Sequence, residues 1–62
     1  MYLYTITYLN YVPGFNADEE RRVTIIDPKA NLGERALLNR VEREHGFRPS
    51  RVARIECACY GN

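Results

Sequence analysis

The chain has no tryptophan and only one methionine, and it is nearly as poor in the residue types that do chemistry: one serine, Ser50, and one histidine, His45. Neither lies in a G-x-S-x-G, H-E-x-x-H or glycine-rich phosphate-loop pattern, so the pairing of nucleophile with base that hydrolases need has no local signature. The expectation is a protein that is not an enzyme and uses no cofactor. Cysteine is limited to Cys57 and Cys59, too few for a disulfide framework. At a spacing of two on a strand they point the same way with no turn between them, which disfavours an internal bridge. Joined by His45 they make three metal ligands where a closed zinc site uses four; no metal is expected, and both cysteines are assigned to the apolar core. No run is long and apolar enough to span a bilayer, and no basic, apolar and small-residue series of a signal peptide opens the sequence. The expected setting is soluble and cytoplasmic, with no membrane partner. A net charge of +1 argues against an acidic nucleic-acid mimic and against a general nucleic-acid coat.

With 62 residues, one small domain is expected, near the lower limit for a chain that folds on its core alone. Its longest structured stretch is Tyr2–Val12, where β-branched and aromatic residues alternate with threonine and no Gly or Pro intervenes. This predicts a central strand with Tyr4, Ile6 and Tyr8 on the core face and Thr5 and Thr7 on the other. Pro13-Gly14 fits the middle of a type II turn, and Phe15–Glu20 reads as a polar loop carrying one aromatic. Val23 and Ile25, alternating with Arg22, Thr24 and Ile26, predict a shorter second strand that Asp27-Pro28 stops. Leu37, Leu38 and Val41 place an apolar stripe on a helix from about Leu32 to His45. Its candidate caps are Asn31, favoured over Asp27, at the start and Gly46 at the end, with Phe47 folded back on Val41. A third strand, Arg51–Tyr60, follows Pro49, its apolar phase Ala53, Ile55, Cys57 and Cys59. A right-handed crossover through the helix makes it antiparallel to the first strand. The predicted fold is α+β: a single ββαβ domain over residues 1–62, with a three-stranded antiparallel sheet in the order 2-1-3 and one helix packed on one face.

Two surfaces stand out for recognition. Phe15 beside Tyr11, rimmed by Asp18, Glu19 and Glu20, has the composition of a protein-binding hot spot. Eight of the nine basic residues are arginine, a side chain suited to carboxylate and phosphate. Arg51 and Arg54, continued by Arg40, Arg43 and Arg48, suggest a cationic stripe, although Glu42, Glu44 and Glu56 interleave it. The third strand is an edge in the 2-1-3 order, and Val52–Tyr60 lacks the lysine and proline that usually blunt an edge. It is a candidate for homodimerisation, to be tested by proline at Ala58 or Glu56 if the N–H there points outward. The succession of strand, Pro-Gly turn, strand, Asp27-Pro28, helix ending His45-Gly46-Phe47 and final strand resembles the small ββαβ accessory proteins of phage genomes, some of them anti-CRISPR or other anti-defence inhibitors. That resemblance implies an inhibitor of a host protein or ribonucleoprotein complex. The alternative is a small arginine-rich nucleic-acid-binding regulator.

Overall fold

A computed structural model describes residues 1–61. Strand β1 (Tyr2–Val12) turns through a short 3₁₀ segment, Pro13–Phe15, into β2 (Ala17–Asp27). Helix α1 (Glu34–His45) and strand β3 (Val52–Cys59) follow. The sheet is antiparallel in the order β2-β1-β3, as the crossover argument expects. β1 runs through the middle because it alone has the apolar length to serve two neighbours.

The turn departs from expectation. Gly14 does not take the positive φ of a type II turn; Asn16 does, at 49°, and its N–H bonds to Pro13 O at 3.2 Å. Asparagine tolerates this left-handed region better than most side chains, so the reversal is tight and Val12 pairs with Ala17. Ala17–Glu20, within the segment read as a loop, is therefore the start of an 11-residue β2.

The core is one small cluster, with Tyr4, Ile6, Val23 and Ile25 from the sheet against Leu37, Leu38 and Val41 from α1. Each fully buried aliphatic side chain here contributes roughly 1.5–3 kcal/mol through the area it removes from water. Phe47 does not join it by folding on Val41. Its ring lies 5.5 Å from that of Tyr8 at 46°, while Gly46 caps α1 in the left-handed conformation with its N–H on Glu42 O.

The helix begins later than Asn31 predicts. Asn31 has φ 62°, Gly33 is the N-cap, and no side chain bonds to the first turn. The reason is Tyr4, whose buried hydroxyl donates to Lys29 O at 2.5 Å and accepts from Leu32 N–H at 3.2 Å. One tyrosine thus satisfies two backbone groups of the β2-α1 connection and holds it non-helical. Burial raises the pKa of this hydroxyl, the bond from Leu32 opposing that rise.

Cys57 and Cys59 occupy the predicted phase of β3 yet are exposed and unbridged, which overturns their assignment to the core. A helix about 10 Å across covers two strands spaced about 4.8 Å apart, not three. α1 lies over β2 and β1, leaving β3 with only Val52 and Ile55 half-buried.

Candidate functional site

Beyond Tyr8 and Arg21 the β1-β2 ladder continues without helix above it, as an arm of an elongated molecule 43 × 19 × 16 Å. Its tip carries Phe15, 83% exposed, and Tyr11, 50% exposed. Phe15 therefore projects away from the core. The tip is braced at two points. Tyr11 donates its hydroxyl to Asn16 Oδ1 at 2.5 Å across the turn. Arg51, just before β3, donates to both carboxylate oxygens of Asp18, at 2.6 and 3.2 Å. That bidentate pair holds the Asp18 carboxyl below the usual carboxylate range and raises Arg51.

The register sorts the predicted residues onto faces. Tyr11 lies opposite Asp18, and Arg54 opposite Thr7, so Tyr11, Asp18, Glu20, Arg51 and Arg54 share the sheet face away from the helix. Glu19, one position along from Glu20, belongs to the other face, and Phe15 projects from the turn itself. The seven therefore do not form one patch. Tyr11, Phe15 and the Asp18–Arg51 strut come together at the arm, whereas Arg54 lies over the body of the sheet.

Nor do the arginines make a stripe. Arg40 pairs with Asp27 and Glu44 at the outer edge of β2, and Arg48 contacts Asn39 and Glu42 of α1. On the strands Arg21 pairs with Glu19, Arg22 with Glu20 and Arg54 with Glu56, at 3.1–3.4 Å. These are i,i+2 neighbours on one strand face, a spacing visible in the sequence once the segment is known to be a strand.

Three functional features escape a reading of the sequence. Asn16 is the hinge of the turn. Thr7, on the face opposite the predicted core face, is 1% exposed, and its Oγ1 has no hydrogen-bond partner among the described residues. Its register neighbours are Arg22 and Arg54, whose long apolar stems are placed to cover it.

The third feature is the unequal treatment of the two sheet edges. Tyr60 N–H bonds to Met1 O and Leu9 N–H to Arg51 O, both at 2.9 Å, so the odd residues of β1 bond to β3. The even residues then bond to β2, and Thr24 and Ile26 of β2 turn their carbonyls outward. Both are occupied. His45 Nε2, in the tautomer carrying its hydrogen there, donates to Thr24 O at 3.2 Å, and Arg40 donates to Ile26 O at 3.3 Å. On β3 the same phase sends the backbone groups of Ala58 and Glu56 inward to β1, so proline at either would break the fold rather than test the edge. Ile55, Cys57 and Cys59 face outward with no such cover.

The chain matches no protein-family model, no curated protein and no solved structure. Among the described residues there is no pocket and no cluster of three or more metal-ligating side chains. No helix there is long and apolar enough to cross a membrane.

Proposed function

We propose that this protein is a non-enzymatic interaction module that engages a protein or ribonucleoprotein partner with the tip of the β1-β2 arm. The observation that carries the reading is Phe15, an aromatic held away from its own core at the end of a braced hairpin. An exposed aromatic anchor within a polar rim is the usual make-up of a binding hot spot, and a pre-ordered backbone lowers the entropy lost on association. Inhibition of a host complex, as in the phage anti-defence proteins that the chain resembles, is the most specific form of this proposal. The nucleic-acid alternative draws less support, because most arginines already neutralise a carboxylate nearby and backbone recognition needs net positive potential along a path.

The test is affinity capture of the tagged protein from a host lysate, with and without nuclease, in parallel with a Phe15→Ala variant. A defined protein complex should survive nuclease and bind the variant at least about thirtyfold more weakly, in keeping with a hot-spot anchor. The melting temperature should not change. Equal capture by Phe15→Ala would remove the tip from recognition, and loss of capture with nuclease would make the arginine surface the site.

A further inference from the structure

We infer that the outer edge of β3 is a self-association surface, on which a second copy of this chain pairs antiparallel about a two-fold axis through Cys57. Independently of the arm, the two edges of the sheet differ. The C-terminal half of β2 is closed to further pairing because Arg40 and His45 occupy its outward carbonyls at Ile26 and Thr24, and its other half is charged from Asp18 to Arg22. Side chains that cover or charge an edge are how sheet proteins prevent strand addition. On β3 no side chain among the described residues covers an outward backbone group, and the stretch past Glu56, Cys57-Ala58-Cys59-Tyr60, is uncharged. Cys57 and Cys59 on this strand are exposed, so a partner strand meets no obstacle from their side chains.

The sequence of β3 selects the register. Outward-facing residues must meet outward-facing residues, so the two-fold can pass through an outward residue such as Ile55 or Cys57, or through an inward one, Arg54, Glu56 or Ala58. An axis through Glu56 sets Glu56 against its own copy, and one through Arg54 does the same for Arg54; like charges directly opposed are destabilising. An axis through Ile55 runs the ladder across Ala53, where the β1-β3 register shifts at a bulge. An axis through Ala58 or Cys59 leaves Ile55 and Glu56 without partners on the strand. One through Cys57 avoids all three faults. It pairs Cys57 with Cys57, Ile55 with Cys59 and Glu56 with Ala58, all on regular strand, and opposes no like charges. The product is a continuous six-stranded sheet with both helices on one face. Because the two copies run antiparallel, the two arms leave at opposite ends, their tips roughly 60 Å apart at about 3.3 Å per residue.

Cysteine placement makes the register measurable. Hydrogen-bonded antiparallel partners have Cα atoms about 5.5 Å apart, within disulfide range, whereas the two copies of Cys59 would be about 13 Å apart along the strands. The experiment treats Cys59→Ser and Cys57→Ser variants with copper phenanthroline and follows the covalent dimer on non-reducing gels, beside light-scattering masses of the reduced protein. Reduced protein at high micromolar concentration should weigh twice the 7.2 kDa of one chain. Cys59→Ser, which keeps Cys57, should cross-link at least about tenfold faster than Cys57→Ser, because pairing raises the local thiol concentration. Cys57→Pro removes an outward N–H without touching a bond to β1 and should restore the monomer mass. A monomer at every concentration would overturn the proposal. So would cross-linking of Cys59 as fast as that of Cys57, and the arm reading would stand after either result.

Discussion

At the scale of single residues, two side chains on the central strand show opposite solutions to burying a hydroxyl. Tyr4 has both its donor and its acceptor function engaged, on Lys29 O and Leu32 N–H, and fixes the connection that precedes the helix. Thr7 has neither. A buried polar group without a partner costs about 1–3 kcal/mol, and valine has nearly the same shape with equal or better strand preference. Thr7→Val is therefore expected to stabilise the protein by about 1 kcal/mol, measured as a higher urea midpoint with an unchanged slope. A loss of stability would mean that the hydroxyl is bonded, for instance to a bound water. The pattern of Thr5 and Thr7 between Leu3 and Leu9 gives the correct face in the sequence, but not the burial. Burial there depends on which residues of β2 and β3 lie alongside, and the long stems of Arg22 and Arg54 become neighbours only through the register. Cys57 and Cys59 are the mirror case, correct in phase yet exposed because the single helix is too narrow to reach them.

At the scale of elements, β1, α1 and β3 were legible because each carries its period in its side chains: alternation in the strands, and Leu37, Leu38 and Val41 at helical spacing. The first half of β2 was not. Ala17 to Arg22 has no apolar alternation, and its strand conformation is imposed by the tight turn at Asn16 and by the length of β1. The join between β2 and α1 is ionic. Asp27 accepts Lys29 N–H at 2.8 Å and also accepts from Arg40, and these two groups, the N–H first, hold its carboxyl below the usual range. Arg40 also bonds Glu44, which with Asp27 raises its own pKa. A carboxyl whose folded pKa is lowered adds stability above its unfolded value, near 4, and that contribution is lost as pH falls through the lower folded value. Asp18, bonded to Arg51, acts in the same direction. The protein should therefore lose stability on acidification below about pH 4. Asp27→Asn should melt lower at neutral pH and show a flatter acid limb in a plot of melting temperature against pH. Parallel limbs for the two proteins would remove Asp27 from the acid sensitivity.

At the scale of the whole molecule, the chain divides into a packed body and an arm that share β1 and β2 but not the same support. In the body the ladder is covered by α1 and flanked by β3. In the arm, from Asn10 to Glu19, only two strands are paired, and a two-stranded hairpin alone is marginally stable in water. What holds the arm is the Asp18–Arg51 pair and the Tyr11–Asn16 bond, neither of which buries apolar surface. Opening of the arm should therefore cost less than global unfolding, and the amides of β1 that bond to β2 report the difference directly. Asn10 N–H is expected to exchange at least about a hundredfold faster than Ile6 N–H under native conditions, a gap that local opening readily produces. Arg51→Ala should widen it by accelerating Asn10 and its neighbours while leaving Ile6 unchanged. Were Asn10 and Ile6 to exchange alike, the arm would belong to the same cooperative unit as the core. Phe15 would then be presented by a strut as stable as the body itself.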